Sequence, residues 1–143
     1  MSADHTPNTA LANRLVSSAA ALTAITGSVA LIGWTFDIAV LKSVLPGWVS
    51  MKANTAVCFI LTGVALGLTA RPPAIINPQH SIFFSRLART FGLLAGLIGL
   101  LTLGEYAFGW DLGIDQWLFR APDDIVGTSH PGRMAPETAL NFV

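Results

Sequence analysis

Charge is missing from three long stretches of this chain. Leu15 to Phe36, Ala53 to Ala70 and Thr90 to Gly104 contain no Asp, Glu, Lys or Arg. Each is close to the roughly 20 residues a helix needs to cross a bilayer. The third reaches that length only if Glu105 lies near the far interface, because the next charge is Asp111. Charged residues make up 11% of the chain, where a water-soluble domain carries about a quarter. Two other readings compete. One is a soluble bundle with three buried helices. The other is a cleaved signal peptide led by Arg14, which the long first stretch and the lack of a small-residue cleavage site before Trp34 argue against.

The expected fold is therefore all-α: an integral membrane bundle of three full transmembrane helices plus the start of a fourth. The apolar pattern places the helices at about 13–34, 53–70 and 88–108, with the fourth beginning near 136. Residues 1–12 read as a polar tail, 13–70 as a first membrane unit, 71–87 as a cytoplasmic connection and 88–143 as a truncated second unit. Pro72, Pro73 and Pro78 are expected to prevent a continuous helix through that connection. Cys58 lies alone within the second apolar stretch, so it reads as a small packing residue.

The two units repeat one another. Met51-Lys-Ala-Asn-Thr-Ala-Val-Cys-Phe59 returns as Met134-Ala-Pro-Glu-Thr-Ala-Leu-Asn-Phe142, an offset of 83 positions. Gly33-Trp34 corresponds to Gly109-Trp110, Phe36 and Ile38 to Leu112 and Ile114, and Pro46-Gly47 to Pro131-Gly132. The second copy carries a polar expansion from Ala121 to His130. Each unit reads as helix, interfacial segment, Pro-Gly turn and returning helix, so both units run in the same direction. Phe36, Val40 and Val44 recur at helical spacing and predict a short interfacial helix ending near Pro46-Gly47. Thr55 and Thr138 fall in the first turns of the returning helices, where a hydroxyl can satisfy free N–H groups. Pro136 suits a first helical position, and Glu137 complements the positive helix end.

Charge and tryptophan set the expected orientation. Arg14, Arg71, Arg86 and Arg89 share one side; Lys42, Lys52, Arg120 and Arg133 share the other. The counts are equal, but the first set lies closer to the helix ends and in shorter segments, which assigns it to the cytoplasm. Trp34, Trp48, Trp110 and Trp117 all fall on the opposite side, as expected of membrane-interface indoles. Localisation in a bacterial inner membrane, N-terminus cytoplasmic, follows from this reading. Small residues that allow close helix contact are Ala20, Ala24 and Ser28 in the first helix, Gly63 and Gly67 in the second, and Gly92 and Gly96 in the third.

Three strings carry a resemblance to a known group of proteins. They are Met51 to Ala56, Glu105-Tyr-Ala-Phe-Gly-Trp-Asp-Leu-Gly-Ile-Asp115, and Pro131-Gly-Arg-Met134 followed by Thr138-Ala139. In this order the chain from Gly33 onward resembles the N-terminal membrane regions of bacterial PAS-containing histidine kinases and diguanylate cyclases. Glu137 departs from the asparagine usual there. The resemblance implies a sensory or anchoring role, with any kinase or cyclase activity residing in a separate domain.

The residues offer no catalytic constellation. There is no Gly-rich phosphate loop and no Cys/His cluster at metal-ligand spacing. His5, His80 and His130 lie in three different polar segments. No cofactor is predicted, although a haem or pigment contact through His130 stays open. Glu105 is the more pointed feature, since an acid near a membrane helix end usually faces a partner or a wet cavity. Lys52 and Arg133 begin the returning helices at comparable depth. Glu105, Asp115, Lys52, Asn54 and Arg133 thus form a candidate ligand pocket, against the alternative of structural ion pairing.

Two functional classes remain. The first is the membrane-embedded sensory or anchoring region of a signal-transduction protein, not itself an enzyme, partnered by the bilayer and a cytoplasmic signalling domain. The second is an accessory subunit packed against a larger respiratory or photosynthetic complex. A small transporter is a weaker third reading, since no discontinuous helix is evident. A homodimer stays open, and no nucleic-acid partner is expected.

Overall fold

The computed structural model describes residues 6–43, 49–70, 78–120 and 130–143. Pro46-Gly47, Trp48, His5, Arg71 and nearly all of the polar expansion lie outside the described residues. Helices account for the regular structure: α1 (Thr6–Thr35), α2 (Ala39–Lys42), α3 (Ala53–Thr69), α4 (Pro78–Phe108) and α5 (Pro136–Leu140), with a 3-10 turn at Ile114–Gln116. No strand occurs among the described residues.

Two helices, not three, are long and apolar enough to cross a membrane, with spans at Thr9–Thr35 and His80–Phe108. At 30 and 31 residues, α1 and α4 are about 45 Å long. The expected second span is a 17-residue helix, about 26 Å in length and short of the ~30 Å hydrocarbon core. It starts only after Lys52, whose backbone is extended, and ends against the Leu66 carbonyl. Both long helices begin earlier than expected, α1 within the polar tail and α4 ten residues before position 88. Proline explains the second difference. Pro78 opens α4, where its missing N–H costs nothing and its fixed φ suits the first turn. Residues 78–87 are therefore helix rather than loop.

Helix α3 lies between α1 and α4, and α5 packs on α4. Four hydroxyls of α1 are satisfied within the helix: Thr23, Thr26, Ser28 and Thr35 each donate to the carbonyl four residues earlier at 2.8 Å. That bond leaves no free donor on an apolar surface. Most of that surface is open. Only 17% of the most apolar window of α1 and 22% of that of α4 is buried within the molecule.

The sequence repeat has a structural counterpart. A Cβ on Gly27 would lie 2.4 Å from the Ala56 carbonyl oxygen, and one on Gly99 would lie 2.7 Å from that of Ala139. In each unit, then, a glycine of the outgoing helix lets it close on the repeat alanine of the returning helix. Ala56 and Ala139 are both fully buried. Phe59 and Phe142, which end the two copies, meet edge to face at 5.8 Å. Asp37 and Gly113, equivalent positions after the Gly-Trp pairs, both have positive φ.

The proposed packing residues divide. Gly63 sits against Ala20 and Ala24, and a Cβ on Gly67 would lie 3.7 Å from the Ala20 side chain. Ser28 is half-buried on α1 and Gly96 approaches the Phe142 carbonyl. Gly92 is an exception: it is exposed, with nothing near it, because the contact face of α4 runs through Ala95 and Gly99.

Candidate functional site

Burial concentrates at the end of the bundle where α1 and α4 finish and α3 and α5 begin. Lys52, Ala53, Asn54, Thr55 and Ala56 are all buried, as are Thr102, Glu105, Asp115, Arg133 and Met134. A polar core of this kind is costly unless its members pair.

Arg133 organises it. Its Nε donates to Asp115 Oδ2 at 2.6 Å and lies 3.4 Å from Glu105 Oε2. Its Nη2 is 3.9 Å from the exposed Asp111 carboxylate and bonds the Trp110 carbonyl at 3.5 Å. The guanidinium carbon lies 5.5 Å from the centre of the Tyr106 ring, a cation–π arrangement. Burial works against the Arg133 charge, but the Asp115 hydrogen bond and the nearby carboxylates outweigh it and hold the group above its ordinary range.

Backbone conformation makes this meeting possible. Gly132 has φ +78, and a Cβ there would lie 2.6 Å from the Asp115 carbonyl oxygen. Only glycine allows the Pro-Gly turn to press on the 3-10 turn and bring Arg133 beside Asp115. Glu105 anchors the other edge by accepting the Leu112 N–H at 2.9 Å. Asn54 joins the first unit to the second by donating its side-chain amide to the Ile114 carbonyl at 3.0 Å.

Glu105, Asp115 and Arg133 therefore stand together, and Asn54 touches the same turn. Lys52 does not join them. It is 4% exposed, and its Nζ has no hydrogen-bond partner among the described residues. Burial alone depresses its pKa below the usual 10.5. The sequence groups Lys52 with Glu105 because both sit near helix ends, but depth along a helix says nothing about which side of it a side chain occupies.

Lys52 and Arg133 do share a cavity of about 920 Å³. Its apolar wall includes Ile25, Val29, Val40, Met51 and Phe59, and Tyr106 and Arg133 close it from the second unit. That volume and lining suit a small-molecule site. The cavity wall on α1 carried no sequence signal. Tyr106 and the fully buried Thr102 were also missed, although Tyr106 is the only tyrosine and follows the buried acid directly.

Tryptophan placement also differs from expectation. Trp34 is buried, donates Nε1 to the Met51 carbonyl at 2.8 Å and packs 5.9 Å from Phe119. It ties α1 to the following connection. Trp110 and Trp117 are exposed. The N-cap residues of α3 and α5, Lys52 and Ala135, make no side-chain cap bond, and Pro136 opens α5 as expected. Cys58 packs with Ala95, Met134 and Ala139. His130 is exposed and meets the Tyr106 ring edge-on. No group of three or more metal-binding side chains occurs among the described residues.

Comparison with protein-family models, with curated proteins and with solved structures found no match.

Proposed function

We propose that this chain is the membrane-embedded sensory or anchoring region of a bacterial signal-transduction protein. α1 and α4 cross the inner membrane, α3 packs between them as the shorter returning helix, and the N-terminus is cytoplasmic. The Arg133 cluster and its cavity then lie at the outer face. The observation that carries this reading is the joint between units: the Arg133–Glu105–Asp115 cluster fixes the turn of the second unit that Asn54 of the first unit holds through the Ile114 carbonyl, beside a cavity lined by both. A stimulus that prefers one arrangement of that joint would shift the packed helices and bias a cytoplasmic partner. The exposed apolar surfaces of α1 and α4 support lipid as their surroundings, since a core helix in a water-soluble protein would be mostly buried.

The chain's native gene, tagged and expressed at its own level, provides the test. Membranes are solubilised in mild detergent, and everything covalently attached or stoichiometrically bound is identified. The sensor reading expects a kinase or cyclase output whose activity changes in Arg133→Gln and Glu105→Gln variants that remain folded. Stoichiometric recovery of respiratory or photosynthetic subunits, with no such output, would replace it with the accessory-subunit reading.

A further inference from the structure

The cavity between the units has one feature that structural ion pairing does not use. Lys52 is on its lining, and the Lys52 ammonium, shielded from the cavity, makes no hydrogen bond among the described residues. Among the described residues, the other cations on the lining are occupied. Lys42 pairs with Asp37 and lies over the Trp34 ring, and Arg133 is held by Asp115 and Glu105. Lys52 also precedes the first turn of α3, a 17-residue helix whose start carries no side-chain cap. The free N–H groups of that turn add the positive end of the helix dipole, and Thr55 of the same turn lines the cavity. Positive charge from two sources thus meets a wall of Ile25, Val29, Val40 and Phe59. Among the described residues Glu137 is the acid on the lining, and it is exposed on α5.

We propose that this cavity binds a monocarboxylate with a hydrocarbon body, the flexible Lys52 side chain turning its ammonium into the cavity to meet the carboxylate while the body lies against the α1 wall. An ammonium buried without a partner is costly, and a carboxylate removes that cost by forming a charge-assisted hydrogen bond. A cavity of about 920 Å³ accommodates a medium-chain acid, or part of a longer one entering from the lipid. This identifies the stimulus class of the proposed sensor and rests on that reading for its biological meaning. Binding itself is measurable without any signalling output. Binding with no effect on output would sink the sensor reading alone. An output that responds while no acid binds would sink this proposal alone.

The full chain in phosphatidylcholine vesicles is titrated with octanoate, 1-octanol, palmitate and inorganic phosphate while thermal unfolding is followed. Octanoate is expected to raise the melting temperature saturably and octanol to have little effect. Lys52→Met should weaken binding at least thirtyfold or so, the loss typical of removing one partner of a buried charge pair. Lys52→Arg should retain it. Ser50→Glu, which adds an acid to the lining while leaving Lys52 in place, should also abolish it. A response to palmitate alone assigns the carboxylate to a membrane fatty acid. Equal responses to octanol and octanoate, an equal response to phosphate, no response to either acid, or undiminished binding in both Lys52→Met and Ser50→Glu would overturn the proposal.

Discussion

At the residue scale, the molecule depends on how one guanidinium is held. Arg133 is 5% exposed and faces two buried carboxylates. Removing it would leave those carboxylates without their cation, a change that costs about 3–5 kcal/mol in buried pairs. Arg133→Gln is therefore expected to lower the unfolding free energy by about that much, measured by denaturant unfolding in detergent. Asp111→Asn should have little effect, because that carboxylate is exposed and distant from the guanidinium. Lys52 predicts the opposite kind of behaviour. Its folded-state pKa lies below 10.5. Above that depressed value, the native state sheds its proton while the unfolded chain keeps one. Stability should therefore rise with pH from the depressed value up to 10.5. In Lys52→Met this rise should disappear, and the variant should be at least as stable as the parent near neutral pH. That comparison separates Lys52 from Lys42, Tyr106, Arg133 and Glu137, which line the same cavity.

At the element scale, glycines determine how closely each outgoing helix meets its returning partner. A side chain at Gly27 or Gly99 would strike a backbone carbonyl, and backbone moves less readily than a flexible side chain. Gly27→Val and Gly99→Val should each destabilise the bundle by about 1–3 kcal/mol, the usual cost of overpacking. Gly92→Val, on the open face of the same helix, should fall within about 0.5 kcal/mol of the parent apart from the change in helix propensity. Thermal unfolding of the three variants side by side would check this. If the Gly99 and Gly92 variants lose equal stability, the contact face assigned to α4 is wrong.

At the scale of the whole molecule, the open apolar flanks of α1 and α4 predict where water is excluded. In a Cys58→Ala background, cysteines placed at Leu22, Leu93 and Leu97, all exposed in the isolated molecule, should resist a water-soluble maleimide in membranes. A cysteine at Trp117, 84% exposed beside the polar cluster, should react from outside intact spheroplasts. Labelling of Leu93→Cys in sealed membranes would remove lipid as the neighbour of α4, while labelling of Trp117→Cys only after lysis would invert the proposed orientation.

Sequence by itself determined the helices and their repetition. Long runs without charge favour helix locally, and the repeated Met-x-x-x-Thr-Ala-x-x-Phe frame placed a helix start in each unit near Thr55 and Thr138. It also named Glu105, Asp115 and Arg133 as one group, because rare charges beside apolar helices have few places to go. Tertiary structure decided the rest. It made α3 a short central helix, and it buried Trp34 against Met51 and Phe119. It turned Gly92 away from every neighbour and separated Lys52 from the acids to which it had been assigned. The physical reason is directional. Charge and apolarity along a chain set how deep a residue lies, but the rotation of each helix about its axis sets what that residue meets, and that rotation is fixed only when Gly27, Gly63 and Gly99 close on their neighbours.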